Sequence, residues 1–299
     1  MSKLRYYVRA MRLRTIFLSI SGVTLGLCMA CATHDINWMV VLWLYPTVIA
    51  LQLLSNVCNE LGDAISGTDN DTNRVGPTNH LTEGKLTKRD FYWMICIYAA
   101  CAIIFGTLLV WSSFDTLLAT EPIALLILGA LAIMSAMKYT MGKKPYGYRG
   151  FGDLAVFIFF GLASVCGGYY LIAHSLSPTI LLPAVTIGCF SVGVLNVNNM
   201  RDIESDRVSR TTIPIRIGLK NAKIYQTVLI VIGWSCMVAY TLCNTSSGLN
   251  WLYIATLPLY IKHLVDVWRR SGKELDSTLP LLSLSTFLFA ILAGVGVVI

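Results

Sequence analysis

Charge is scarce in this chain. Only 13% of its 299 residues are Asp, Glu, Lys or Arg, against 56% hydrophobic. A soluble domain carries about 25% charge, so a water-facing globule is excluded and a polytopic membrane protein is indicated. Histidine is rarer still. His34, His80, His174 and His263 are scattered over both expected sides of the membrane and offer no ligand set. The nine cysteines lie in or at the edge of apolar runs. Cys28 and Cys31 form a C-x2-C with no second pair and no His cluster, which argues against a zinc or dithiol centre and leaves small buried apolar side chains. The net charge of +7 asks for no nucleic acid, because orientation in the membrane and attraction to anionic headgroups account for it. Ala30 and Ala32 mimic a leader-cleavage site, but the basic tail and the further apolar runs argue for a retained first helix.

Apolar runs are what the chain does have. An apolar layer of about 30 Å takes roughly 20 helical residues, and nine spans are expected, at approximately 16–33, 38–56, 91–113, 122–138, 152–173, 179–198, 224–243, 250–267 and 278–299. The loops after spans one, three, five and seven contain no Lys or Arg. Between spans, the basic residues fall in the N-terminal tail and in the loops after spans two, four, six and eight. By the positive-inside rule the N-terminus and those even loops are cytoplasmic and the C-terminus is outside; the expected location is the cell inner membrane. Gly22 and Gly26 spell G-x3-G, a close-packing signal.

Two polar stretches interrupt this pattern, both at cytoplasmic span ends. The second reads NNMRDIESD over 198–206. On a continuous helix Asn198, Asp202 and Asp206 fall four apart on one face. The first, SNVCNELGDAISGTDND, repeats the Asn-x3-Asp spacing with Asn59 and Asp63, and Gln52, Asn56 and Glu60 extend its polar face. Four spans separate the copies, so the repeat is parallel. Two copies suggest two halves of one site.

A third polar segment follows span four. KYTMGKKPYGYRGFGD contains Tyr139, Lys143, Lys144, Tyr146, Tyr148, Arg149 and Asp153. Two readings of Asp153 stand: a carboxylate favoured by the start of a helix, or a contact to a ligand. The aromatic run from Phe157 to Tyr170 reads either as packing or as shielding for a cation.

Carboxylates and amides ringed by Arg and Lys match what Mg2+ and a diphosphate require together. Mg2+ takes a few carboxylates and completes its shell from water and phosphate oxygens, and the basic side chains hold the remaining charge. At the inner membrane face such a site suits a diphosphate head on a lipid tail. The rival class is a transporter, since intramembrane carboxylates also mark ion pathways. Transporters place such groups near the midplane.

With these residues in view, the chain resembles the UbiA-type intramembrane prenyltransferases, most closely the branch that prenylates 1,4-dihydroxy-2-naphthoate for menaquinone. Asn59, Asp63, Gly67 and Asp69 follow N-x3-D-x3-G-x-D, with Arg74 to Pro77 (RVGP) behind. Asn198, Asn199, Arg201, Asp202, Glu204 and Asp206 follow NN-x-RD-x-E-x-D. The segment from Tyr139 to Gly161 is similar to that branch's own loop. Glu60, Asn79, Arg210 and Leu13 depart from it, where Asp, a basic residue, Lys and Pro are commoner.

The resemblance implies an all-α bundle of nine transmembrane helices and a site open to the cytoplasm and to lipid. It implies a polyprenyl diphosphate donor, a dihydroxynaphthoate acceptor and no obligate protein partner. Other aromatic acceptors, 4-hydroxybenzoate or homogentisate, remain the alternative. By the resemblance, Asp63, Asp69, Asp71, Asp202 and Asp206 hold Mg2+. The catalytic set is Asp63, Asp202, Asp206, Asn59 and Asn199. Substrate contacts come from Asn56, Glu60, Arg74, Tyr139, Lys143, Tyr148, Arg149, Asp153, Asn198, Arg201 and Arg210.

Overall fold

In lipid a chain must satisfy its own N–H and C=O groups, and long apolar runs therefore become helices. The computed structural model describes residues 3–67, 79–207, 209–244 and 247–299, and every regular element among them is helical. They are α1 (Lys3–Ala10), α2 (Ile16–Cys31), α3 (Trp38–Ser66), α4 (Lys88–Phe114), α5 (Thr120–Lys138), α6 (Gly152–Val156), α7 (Ser164–Ala173), α8 (Leu181–Arg201), α9 (Ile203–Asp206), α10 (Ile213–Asn244), α11 (Leu257–Arg269) and α12 (Thr278–Val298). A π-helical stretch, Phe157–Ala163, joins α6 to α7.

Among the described residues, eight helical stretches are long and apolar enough to cross a membrane. They coincide with every expected span except 250–267. That segment is a 3-10 helix, Gly248–Thr256, running into α11. Asn250, Lys262 and His263 lower its apolar character; Asn250 and His263 turn inward, whereas Lys262 is exposed and pairs with Asp266 at 2.6 Å. The Asn250 amide donates to the Gly296 carbonyl at 3.2 Å, and the fully buried His263 lies 3.0 Å from the Gln226 amide nitrogen.

The chain divides into two compact units. The first comprises Met1–Ile16, Asn37–Gly152 and Glu204–Thr212. Its core joins Leu54, Val57, Cys58 and Leu61 of α3 to Phe91, Met94 and Ile95 of α4, with Leu86 and with Ala10 of α1. The Asn37 side chain caps α3 by accepting from Met39 and Val40. Pro46 lies inside the helix without ending it, and the chain leaves the helix only at Gly67, which takes φ +78°. The helix therefore continues past the expected end at 56, and Asn59, Glu60 and Asp63 ride on its last turns. Thr87 and Asp90 form a capping box at the start of α4.

The second unit comprises Phe17–Ile36, Asp153–Ile203 and Ile213–Ile299. Gly26 of α2 meets the helix after α6 so closely that a Cβ there would lie 2.1 Å from the Val165 carbonyl oxygen. This is the backbone approach that small residues permit between membrane helices. α8 packs on α10 and α12, and Val197 and Met200 near its end share a buried cluster with Ala222, Val267 and Leu275. Gly218, at φ +80°, kinks α10.

Candidate active site

The first acidic stretch, the loop after α5 and the tail of the second stretch converge within the first unit. Asp63 is 4% exposed on α3. The Tyr148 hydroxyl donates to its Oδ1 at 2.5 Å, and Arg210 Nη2 reaches the same oxygen at 3.4 Å. Arg210 Nε stands 3.2 Å from Asp206 Oδ1, close enough for charge attraction though not aligned as a hydrogen bond. The guanidinium also lies over the Tyr148 ring, 5.1 Å from its centroid. Ser66 approaches the Tyr148 hydroxyl at 3.1 Å, and the Thr211 N–H donates to the Tyr148 carbonyl at 2.8 Å. One cation thus serves two buried carboxylates and is stacked on an aromatic face.

Electrostatics keeps each partner in its useful form. Burial opposes charge on Arg210, but Asp63 and Asp206 more than offset it, and its pKa is raised. Burial, the Asp63 charge and their hydrogen bond push the Tyr148 phenol well up. Tyr148 therefore remains a neutral donor.

Other residues of the first stretch are engaged differently. Asn56 donates to the Met11 carbonyl at 2.7 Å and to Thr15 at 2.9 Å, beside Gln52. Those bonds tie α3 to the segment before α2. Asn59 accepts from Thr140 at 3.2 Å. Glu60 is 1% exposed, and its Oε1 accepts from both the backbone N–H and Nδ1 of His80, each at 2.8 Å. Asn79 donates to the Glu60 carbonyl at 2.7 Å. Glu60 and Asn79, both departures from the family pattern, thus meet each other. Asp69, Asp71 and Arg74 lie outside the described residues. In the loop, the Tyr139 and Tyr146 rings meet edge to face at 5.4 Å, while Lys143 and Arg149 are exposed.

The second stretch does not form the continuous stripe expected of it. α8 ends at Arg201, Asp202 takes non-helical angles of φ −97° and ψ 13°, and α9 starts afresh at Ile203. Asn198, Asp202 and Asp206 therefore do not share one uninterrupted face. At the break Arg201 grips the next residue's carboxylate. Its Nε and Nη2 donate to Asp202 Oδ1 at 2.9 Å and Oδ2 at 2.6 Å. Nη2 also donates to Asn198 at 2.9 Å and Nη1 to Asp276 at 2.7 Å. Asn199 is 5% exposed. At the start of α6 the Asp153 carboxylate accepts from the Tyr225 hydroxyl at 3.1 Å.

Ser66, Tyr225, His80 and Asp276 were not anticipated. Ser66 lies three residues after Asp63, a helical spacing that could have flagged it. The others come from distant segments with no periodic relation to the motifs. Among the described residues no three His, Cys, Asp or Glu side chains gather as a ready-made metal cage. The donors at hand are carboxylate and amide oxygens, those of Asp63, Asp206, Asn198 and Asp202 beside an arginine, and that hard-oxygen chemistry fits Mg2+ completed by waters and phosphate.

The model of the UbiA prenyltransferase family matches residues 19–296. The chain is 32% identical over 301 aligned positions to a 1,4-dihydroxy-2-naphthoate octaprenyltransferase of Haemophilus influenzae, covering 99% of this chain and 97% of that protein. It is 35% identical to a protein of the same description from Escherichia coli, covering 90% of this chain and 86% of that one. Among solved structures it is similar to the apo UbiA homolog of Aeropyrum pernix, with TM-score 0.70, 17% identity and coverage of 95% and 96%. It is also similar to an Archaeoglobus fulgidus UbiA homolog bound to DMAPP and Mg2+, with TM-score 0.67, 15% identity and coverage of 98% of each chain.

Proposed function

Because the chain belongs to the UbiA prenyltransferase family, we propose that it transfers a polyprenyl group from a polyprenyl diphosphate to 1,4-dihydroxy-2-naphthoate in menaquinone biosynthesis. Near full-length similarity to proteins of that description carries the reading. In the reaction the allylic C–O bond breaks and the diphosphate leaves with the electron pair. The acceptor ring bonds to the prenyl carbon, and its carboxyl group departs as CO2, returning electrons to the ring and giving demethylmenaquinol.

Mg2+ is the proposed metal, with Asp63, Asp202 and Asp206, and Asp69 and Asp71 of the first motif, as its ligands. When bound, it would neutralise charge on the leaving oxygens. The protein's own residues do the rest. Arg210 and Arg201 supply positive charge beside the carboxylates, so that a diphosphate meets a balanced field rather than bare anions. Asn59, Asn199 and Asn198 add neutral polar groups on the same motifs. The Tyr148 ring, already stacked on a guanidinium, offers a π-face suited to an allylic cation, and Tyr139 a second. Lys143 and Arg149, exposed in the loop, are cations for the acceptor carboxylate, and Asp153 is an acceptor for a ring hydroxyl. Glu60, bound to His80, and Asn56, bound to Met11 and Thr15, support α3 instead.

Nine spans complete the reading. The 3-10 stretch rises about 2.0 Å per residue and the α-helix about 1.5 Å. Gly248–Arg269 therefore extends roughly 38 Å, enough for an apolar layer of about 30 Å. With nine spans the N-terminus and the motif ends are cytoplasmic and the C-terminus outside.

Asp63→Asn and Asp202→Asn test the site, since each removes a charge while nearly keeping shape. Pyrophosphate release from a polyprenyl diphosphate, with naphthoate and Mg2+, should fall by about two orders of magnitude or more, the size of losing a group used in the transition state. Near-native turnover in Asp202→Asn would remove that residue from the site.

A further inference from the structure

The Arg201 guanidinium is 2% exposed and lies between two carboxylates of unlike setting, Asp202 at 4% and Asp276 at 57% side-chain exposure. Asp276 belongs to the short 3-10 helix Gly272–Ser277 ahead of α12, and its position is built rather than incidental. The preceding Leu275 is fully buried in the cluster with Val197 and Met200 of α8. That anchor holds Asp276 against the end of the second motif, where Arg201 Nη1 donates to it at 2.7 Å.

One positive charge shared by two carboxylates has a consequence for anything that binds Asp202. A cation approaching Asp202 must displace a bidentate guanidinium, whose Nε and Nη2 hold both carboxylate oxygens. If Arg201 had no other acidic partner, its whole charge would favour Asp202 and compete with the cation. Asp276 draws part of that charge away and keeps Nη1 anchored while the other two donors release.

We propose that Asp276 is a positioning residue for the second acidic motif, acting through Arg201 to set how readily Asp202 accepts a divalent cation. This rests on the reading that Asp202 is a metal ligand. Asp276 touches neither substrate nor metal in this account.

The test uses the full chain in lipid nanodiscs with Mg2+ alone as probe. The readout is the Mg2+ concentration giving half the maximal rise in unfolding temperature, measured without substrate, and the half-saturating Mg2+ concentration in turnover is measured alongside it. Asp276→Asn should raise both by about three- to fivefold, the size of one partly exposed ion pair, with maximal turnover nearly unchanged. Asp276→Glu should restore them. Unchanged Mg2+ half-saturation in Asp276→Asn, or lower maximal turnover with unaltered Mg2+ dependence, overturns the proposal. Asp202→Asn is run in parallel. If it loses Mg2+ stabilisation and turnover while Asp276→Asn is native-like, only the role of Asp276 fails. If it is itself native-like, the ligand reading fails and this inference with it.

Discussion

Arg210→Met removes the cation that Asp63 and Asp206 share and leaves a side chain of similar length. The guanidinium is 14% exposed, and the two carboxylates 5% and 6%. Breaking a buried ion pair from one side costs about 3–5 kcal/mol, because a desolvated charge loses its partner. Tyr148 still donates to Asp63 in the variant, which favours the lower end, about 3 kcal/mol. At about 2 °C per kcal/mol for a chain of this size, the unfolding temperature in EDTA should drop by about 6 °C. Mg2+ brings positive charge to the same carboxylates, so adding it should recover most of the loss, and the variant should gain more from Mg2+ than the wild type does. Thermal unfolding of detergent-purified protein, followed by tryptophan fluorescence with and without Mg2+, measures both quantities. An equal deficit in EDTA and in Mg2+ would mean that Arg210 is only a structural tie. No deficit at all would mean that the two carboxylates do not depend on it.

Two further outcomes follow from geometry elsewhere. A Cβ on Gly62 would lie 2.6 Å from the Thr140 side chain and carbonyl; Gly62→Ala should push α3 from the loop after α5, costing about 1–3 kcal/mol of stability and lowering turnover with it, and native-like values in both assays would refute this contact. On a cysteine-free background, Leu118→Cys, at a position 89% exposed between α4 and α5, should react with an impermeant thiol reagent on intact cells, whereas Glu83→Cys and Ser271→Cys should react only after the membrane is opened; the reverse pattern would overturn the proposed orientation.

The helices were legible because composition alone decides them: a long apolar run in lipid has few alternatives to helix. The expected span at 250–267 falls short of the criterion of length and apolarity because polar residues such as Asn250, Lys262 and His263 dilute its apolar character, and hydropathy counts the inward Asn250 and His263 as it would lipid-facing groups. Motif chemistry was legible in part. Asp63, Asp206, Tyr148 and Arg210, picked out separately, come together in one cluster. The stripe through Asn198, Asp202 and Asp206 did not survive as drawn, because a helical projection assumes an unbroken helix and the helix breaks at Asp202. Glu60 was expected among the substrate contacts on the resemblance, whereas its partner in the structure, His80, comes from across a long loop. Asp276 carried no signal, since only the burial of Leu275 brings it to Arg201.

Acceptor choice tests the central claim most directly. Purified protein in nanodiscs, given one polyprenyl diphosphate and Mg2+, should turn over 1,4-dihydroxy-2-naphthoate much faster than 4-hydroxybenzoate or homogentisate. Pyrophosphate and CO2 should be released in equal amounts with the prenylated naphthoquinol, and EDTA should stop all three. Equal or faster turnover of 4-hydroxybenzoate, or prenylation of the naphthoate with its carboxyl group retained, would contradict the account.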